Sequence, residues 1–109
     1  MQVSVLLQRK GSDVVTVAPH LTAAEAVDAM ARHRVGAVVV TTDGATIDGI
    51  LAERDVVLAL SMFGPGALDR PVADVMSTEV VTCRLDTTVE ELMATMTERR
   101  ARHVPVVVD

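Results

Sequence analysis

In an otherwise acidic chain, Glu98-Arg99-Arg100-Ala101-Arg102-His103 gathers three arginines and a histidine. Guanidinium forks match phosphate oxygens two at a time, so this cluster suits an anion. The plainer reading is a helix C-terminus, where cations meet the negative end of the dipole. Arg99 is expected to do only that. A second stretch with chemical potential is Gly49-Ile50-Leu51-Ala52-Glu53-Arg54-Asp55. A helix beginning near Glu53 would present free backbone N–H groups to an anion. By residue type alone, Asp55 reads as a first-turn acid that favours the helix dipole.

Other chemistry is missing. No Ser/His/Asp, Cys/His or paired-carboxylate arrangement is evident, and no Gly-x-x-x-x-Gly-Lys loop occurs. The sequence therefore predicts that the chain is not an enzyme. His20 and His33 have no carboxylate or second histidine at ligand spacing, so no metal site is expected. Cys83 is the only cysteine, which excludes an internal disulfide and a Cys-based metal site; a small buried hydrophobe is the expected role.

The chain of 109 residues suffices for one domain rather than two independent ones. Half of it is apolar, but Phe63 is the only aromatic residue, so valine, alanine, leucine and methionine must fill the interior. A net charge of −5 argues against general nucleic-acid binding. No signal-peptide pattern opens the sequence and no apolar run approaches spanning length, so a cytoplasmic protein with no membrane partner is expected.

The elements that must position these residues come from an internal repeat. Residues 14–40 align with residues 80–106 at a constant offset of 66, matching Thr16/Thr82, Thr22/Thr88, Glu25/Glu91, Met30/Met96, Arg34/Arg100 and several valines. Val14-Val15-Thr16-Val17 reads as a strand. Thr22-Ala23-Ala24-Glu25 and Thr88-Val89-Glu90-Glu91 are capping boxes, so a helix starts at each. Ala23, Ala26, Val27 and Met30 share one helix face, as do Val89, Leu92, Met93 and Met96. The valine runs at 38–40 and 104–108 suit strands buried on both faces. Asp43-Gly44 supplies a turn, a strand follows at about Ile47 to Leu51, and a helix runs from Glu53 to Leu60. Ser61 to Pro71, with Gly64-Pro65-Gly66, reads as a linker. Val72 to Met76 opens the second copy as a short helix. Val3 to Leu7 is its weaker counterpart, followed by a turn at Arg9-Lys10-Gly11-Ser12.

The pattern resembles the CBS family. The resemblance rests on Val14–Val17, the capped helix, Arg34-Val35-Gly36-Ala37-Val38-Val39-Val40, Gly49–Asp55, Val72-Ala73-Asp74-Val75-Met76 and Arg102-His103-Val104-Pro105-Val106. It implies a mixed α/β (α+β) fold: a tandem motif pair of two β-α-β-β-α repeats with pseudo-twofold symmetry and small sheets flanked by helices. Residues 1–63 form the first motif, 64–71 the linker and 72–109 the second motif. That second motif is expected to lack its last strand and helix, leaving an apolar strand edge open to partner-chain pairing or strand exchange.

The resemblance also implies a function. Such pairs commonly form homodimers, hold adenosine-containing ligands (AMP, ADP, ATP, NAD(H) or S-adenosylmethionine) in clefts between motifs, and regulate a partner protein. Asp55 matches the family position that accepts hydrogen bonds from ribose hydroxyls, with Arg54 beside it. Ala52 departs from the family's Ser/Thr. Arg102 and His103, then Arg100, are the implied phosphate contacts. Thr16, Ala37 and Val39 are the implied adenine region. The expected function is a nucleotide-sensing regulatory module, the alternative a ligand-free dimerisation module. No cofactor in the catalytic sense is expected.

Overall fold

The computed structural model describes residues 1–108. It folds as two compact units, residues 14–79 and residues 1–13 with the described residues from 80 onward.

In the 14–79 unit, β1 (Thr16–Val17) pairs parallel with β2 (Ala37–Val40), which pairs antiparallel with β3 (Gly49–Ala52) in the order β1-β2-β3. Strand–helix–strand passage through α2 (Ala23–His33) makes the parallel pair. The capping box forms as expected: the Thr22 hydroxyl accepts from the Glu25 N–H at 3.1 Å and the Glu25 carboxylate accepts from the Thr22 N–H at 3.2 Å. Ala23, Ala26, Ala29 and Met30 of α2 are buried against Val17, Val38, Val40 and Leu51. These are small aliphatic groups, so the core is built by interdigitation rather than by rings. The first strand is shorter than the valine run suggests. Val14 is 65% exposed, and only Thr16 and Val17 are paired with β2.

The β2–β3 turn is held by Asp43. Its Oδ1 accepts from the backbone N–H groups of Thr46 (2.7 Å) and Ala45 (2.8 Å), and from the Thr41 hydroxyl (3.2 Å). Those backbone donors, Thr46 first, pull its pKa down from 3.8 to about 2. Gly44 sits at φ 81°, a value glycine adopts without steric cost.

Two expectations change beyond β3. The helix α3 runs Glu53–Phe63, past Leu60, and the expected linker continues as a 3-10 helix, Gly64–Asp69. Gly64 at φ 68° ends α3, and Pro65 opens the next helical turn. Ala67 is 1% exposed, so this connector contributes to the core. The Arg70 guanidinium lies 3.7 Å above the Phe63 ring, a cation–π contact using the only aromatic side chain. The short helix α4 (Val72–Val75) packs within this same unit, with Val72 and Val75 in its core.

In the other unit, β4 (Cys83–Arg84) pairs parallel with β5 (Val106–Val107) around α5 (Val89–Arg99). The repeat holds at the level of geometry. The helices α2 and α5 start and end at equivalent residues, and α5 carries its own Thr88–Glu91 capping box. Arg34 and Arg100 both close their helices in the left-handed conformation, φ 55° and 51°. The Val17↔Val40 pair recurs as Cys83↔Val106. The strands differ from expectation for a physical reason. In the first copy the Val39 N–H donates to the Val15 carbonyl; its equivalent is Pro105, which has no N–H. Regular pairing therefore begins only at Val106, and Val80–Thr82 form no strand. Val104, Val106 and Val107 are half-buried rather than buried on both faces.

The helix α1 (Val3–Lys10) includes Arg9 and Lys10, which were expected in a turn; the turn comes at Gly11. It docks as α4 does. Val3 and Ser4 N–H groups donate to the Thr87 and Leu85 carbonyls, and Val89 N–H donates to the Met1 carbonyl. In the 14–79 unit, Val72 and Ala73 donate to Leu21 and Pro19, and Ala23 donates to Arg70. Leu21/Thr87, Pro19/Leu85 and Ala23/Val89 are repeat equivalents, so the two docks are one design used twice. No helix among the described residues is long and apolar enough to cross a membrane.

Candidate functional site

The 14–79 unit gathers six of the nine residues expected to meet a ligand. Direct pairing puts cross-strand partners on the same face of a sheet. Thr16 pairs with Val39, Val39 with Ile50, and Ala37 with Ala52. Thr16, Ala37, Val39, Ile50 and Ala52 therefore share one face. None of them is buried, whereas Val38, Val40 and Leu51 on the opposite face are. The expected adenine region thus lies on the accessible side of the sheet.

The chain passes from Ala52 directly into α3, whose first turn carries Glu53, Arg54 and Asp55. Arg54 is exposed and makes no ion pair among the described residues. Asp55 is half-buried, and both of its carboxylate oxygens are engaged. Oδ2 accepts from the Ala52 N–H at 2.8 Å, which is half of a capping box, since Ala52 has no oxygen to return the bond. Oδ1 accepts from the Ser77 hydroxyl at 2.8 Å. A carboxylate offers about four acceptor positions, so two remain for incoming hydroxyls. The N-terminus of α3 is less open to an anion than expected. The Glu53 N–H donates to the Gly36 carbonyl at 3.0 Å, and two carboxylates stand in the first turn.

Ser77 was not anticipated. It follows α4 and lies along the outer edge of β3, exchanging backbone hydrogen bonds with Ile50 in both directions at 2.9 Å. Gly49 makes this approach feasible. A Cβ there would stand 2.7 Å from the Ser77 carbonyl oxygen and 2.7 Å from the Met76 sulfur. The glycine that begins the Gly49–Asp55 stretch is thus required by a segment 27 residues downstream, counting to Met76.

Arg100, Arg102 and His103 lie in the other unit, on the segment joining α5 to β5. All three are exposed and free of ion pairs among the described residues. Arg100 caps α5, and the following Ala101 N–H donates to the Met96 carbonyl.

A groove of about 520 Å³ opens elsewhere on the 14–79 unit, between α2 and α3, lined by Met30, Arg34, Val35, Glu53 and Val57 among others. None of the nine expected ligand residues lines it. Cys83 is buried, and burial pushes its thiol pKa up, away from reactivity. His20 and His33 are exposed. Among the described residues no group of three or more His, Cys, Asp or Glu side chains could hold a metal ion.

Known proteins resemble this chain over most of its length. The CBS domain-containing protein YhcV of Bacillus subtilis is 34% identical over 96 residues, covering 88% of this chain and 67% of its own. The chain spans 45–56% of three other curated relatives. A crystal structure of a CBS-domain containing protein from Agrobacterium tumefaciens superposes with a TM-score of 0.92 at 44% identity, over 96% of this chain and 84% of that one. The CBS domain protein PAE2072 of Pyrobaculum aerophilum, complexed with AMP, superposes with a TM-score of 0.84 at 26% identity, over 98% of this chain and 79% of its own. The CBS domain family matches residues 9–62 and 72–109, and with the mixed α/β architecture of small sheets and helices this chain belongs to that family as a pair of CBS motifs.

Proposed function

We propose that this CBS pair is a regulatory module that binds an adenosine-containing ligand, such as AMP, ATP, NAD(H) or S-adenosylmethionine, without transforming it. The observation that carries the proposal is Asp55. Its carboxylate is held by two donors beside the accessible sheet face of Thr16, Ala37 and Val39, and it keeps acceptor capacity for vicinal hydroxyls. The AMP complex of the Pyrobaculum relative supports the choice of ligand class. Arg100, Arg102 and His103 are exposed in the other unit, and their side chains are of the type that pairs with phosphate. Regulation of a partner protein follows if the ligand favours one arrangement of the protein over another. A cytoplasmic setting and a homodimeric state complete this reading.

Calorimetric titration with AMP, ATP, NADH and S-adenosylmethionine tests it. Submillimolar binding of at least one is expected, with Asp55→Ala costing about 1–3 kcal/mol through lost charge-assisted hydrogen bonds. No binding of any at millimolar concentration overturns it. A ligand-free dimerisation module is the second reading. It is favoured by Ala52, which lacks a hydroxyl, and by the exposed apolar side chains Val57, Leu58, Leu60 and Met62 of α3. Its signature is a stable dimer whose melting temperature ignores every nucleotide.

A further inference from the structure

We propose that Ser77 is a positioning residue for the Asp55 carboxylate, so that discrimination for a ribose over a sugar without vicinal hydroxyls depends on a hydroxyl 22 residues away in sequence. The proposal rests on the reading of Asp55 as the ribose acceptor and adds what aims it.

The geometry is a strap. Residues Met76 and Ser77 lie against β3 because Gly49 leaves room, and the two-way backbone bridge between Ile50 and Ser77 fixes the strap's register. That register places the Ser77 Oγ 2.8 Å from Asp55 Oδ1. The Ala52 N–H holds the other oxygen at the same distance. A carboxylate with one donor swings about its terminal torsion, which is broad for aspartate. With one donor on each oxygen its plane is set, and the remaining lone pairs point in fixed directions. Two vicinal hydroxyls can then be met together without ordering the acceptor at the moment of binding, which is a gain from preorganisation. Ser77 is half-buried, and nothing else among the described side chains donates to Oδ1, so the arrangement has no substitute donor.

The test is calorimetric titration of the full chain with AMP and with 2′,3′-dideoxy-AMP. It compares the wild type with Ser77→Ala, Ser77→Cys and Ser77→Thr, with melting temperature recorded for each. The wild type is expected to prefer AMP. Ser77→Ala should shrink that preference by about tenfold, the worth of one hydrogen bond to a charged group, while affinity for the dideoxy analogue stays unchanged. Threonine should restore the preference, and cysteine, a weak donor of similar size, should fall between. The graded series keeps the question answerable if the alanine variant fails to fold. An unchanged preference in Ser77→Ala or Ser77→Cys overturns the positioning role alone. So does an equal loss for both ligands, which marks a merely structural role. A wild type that binds AMP no better than the dideoxy analogue, or binds neither, overturns the reading of Asp55 itself and the positioning role with it.

Discussion

The helices α2 and α5 have the same length, the same capping box and the same left-handed arginine at the C-terminus. Yet α2 buries Ala23, Ala26, Ala29 and Met30, and α5 buries none of its residues. The difference lies in what each helix packs on. The strand beneath α2 is flanked on both sides, β1-β2-β3, and receives α3, the 3-10 helix and α4 over the same core. The strand β5 pairs with β4 alone among the described strands. Local rules set where a helix begins and ends; burial is decided by the neighbours that rules of short range never mention.

That contrast can be broken at its strongest point. Leu51 is fully buried at the centre of the 14–79 core, so Leu51→Ala should cost about 2–5 kcal/mol of unfolding free energy by urea titration. Val106→Ala, at a half-buried position of β5, should cost less than about 1.5 kcal/mol. Equal costs would show that the two units are packed alike. Next in size, Gly49→Ala forces a Cβ against the Ser77 carbonyl and should cost about 1–3 kcal/mol, with faster amide exchange at Ile50 and Ser77. The caps sharpen the comparison from the other side. Thr22→Ala and Thr88→Ala should each cost about 1 kcal/mol and should agree with each other, because the cap is local; calorimetric melting measures both. The smallest effect is at Asp43, which is fully exposed. Its pKa is depressed, so its contribution is present above the usual carboxylate pKa near 3.8 and is lost as pH falls toward about 2. Asp43→Ala should lower stability at pH 7, and the gap from wild type should close in acid, as read by calorimetric melting at pH 7 and pH 2.

Much of this was legible in residues and spacing. The capping boxes marked both helix starts, Asp43-Gly44 marked the turn, and the repeat predicted that the same strand–helix–strand order recurs 66 residues on. Gly49–Asp55 marked the stretch that holds the candidate carboxylate. What escaped was long-range. Ser77 carries no periodic signal, and its bond to Asp55 depends on a bridge to β3 that only the fold creates. Assignment of α4 to the first copy's core was also hidden, since four residues have too short a pattern to point to a partner. Pro105 is legible in the sequence alone, since its missing N–H limits the pairing of β5.

The paired docking of α1 and α4 has a consequence for how the molecule is made. During synthesis α1 is made well before its partners, because the carbonyls it needs, at Leu85 and Thr87, come more than eighty residues later. Closing so long a loop is entropically slow, so α1 must wait for Leu85 and Thr87 to be made before it settles. α4, whose receptors at Pro19 and Leu21 are already present when it is born, docks without delay. One architectural motif thus matures at two different times in the life of the same polypeptide.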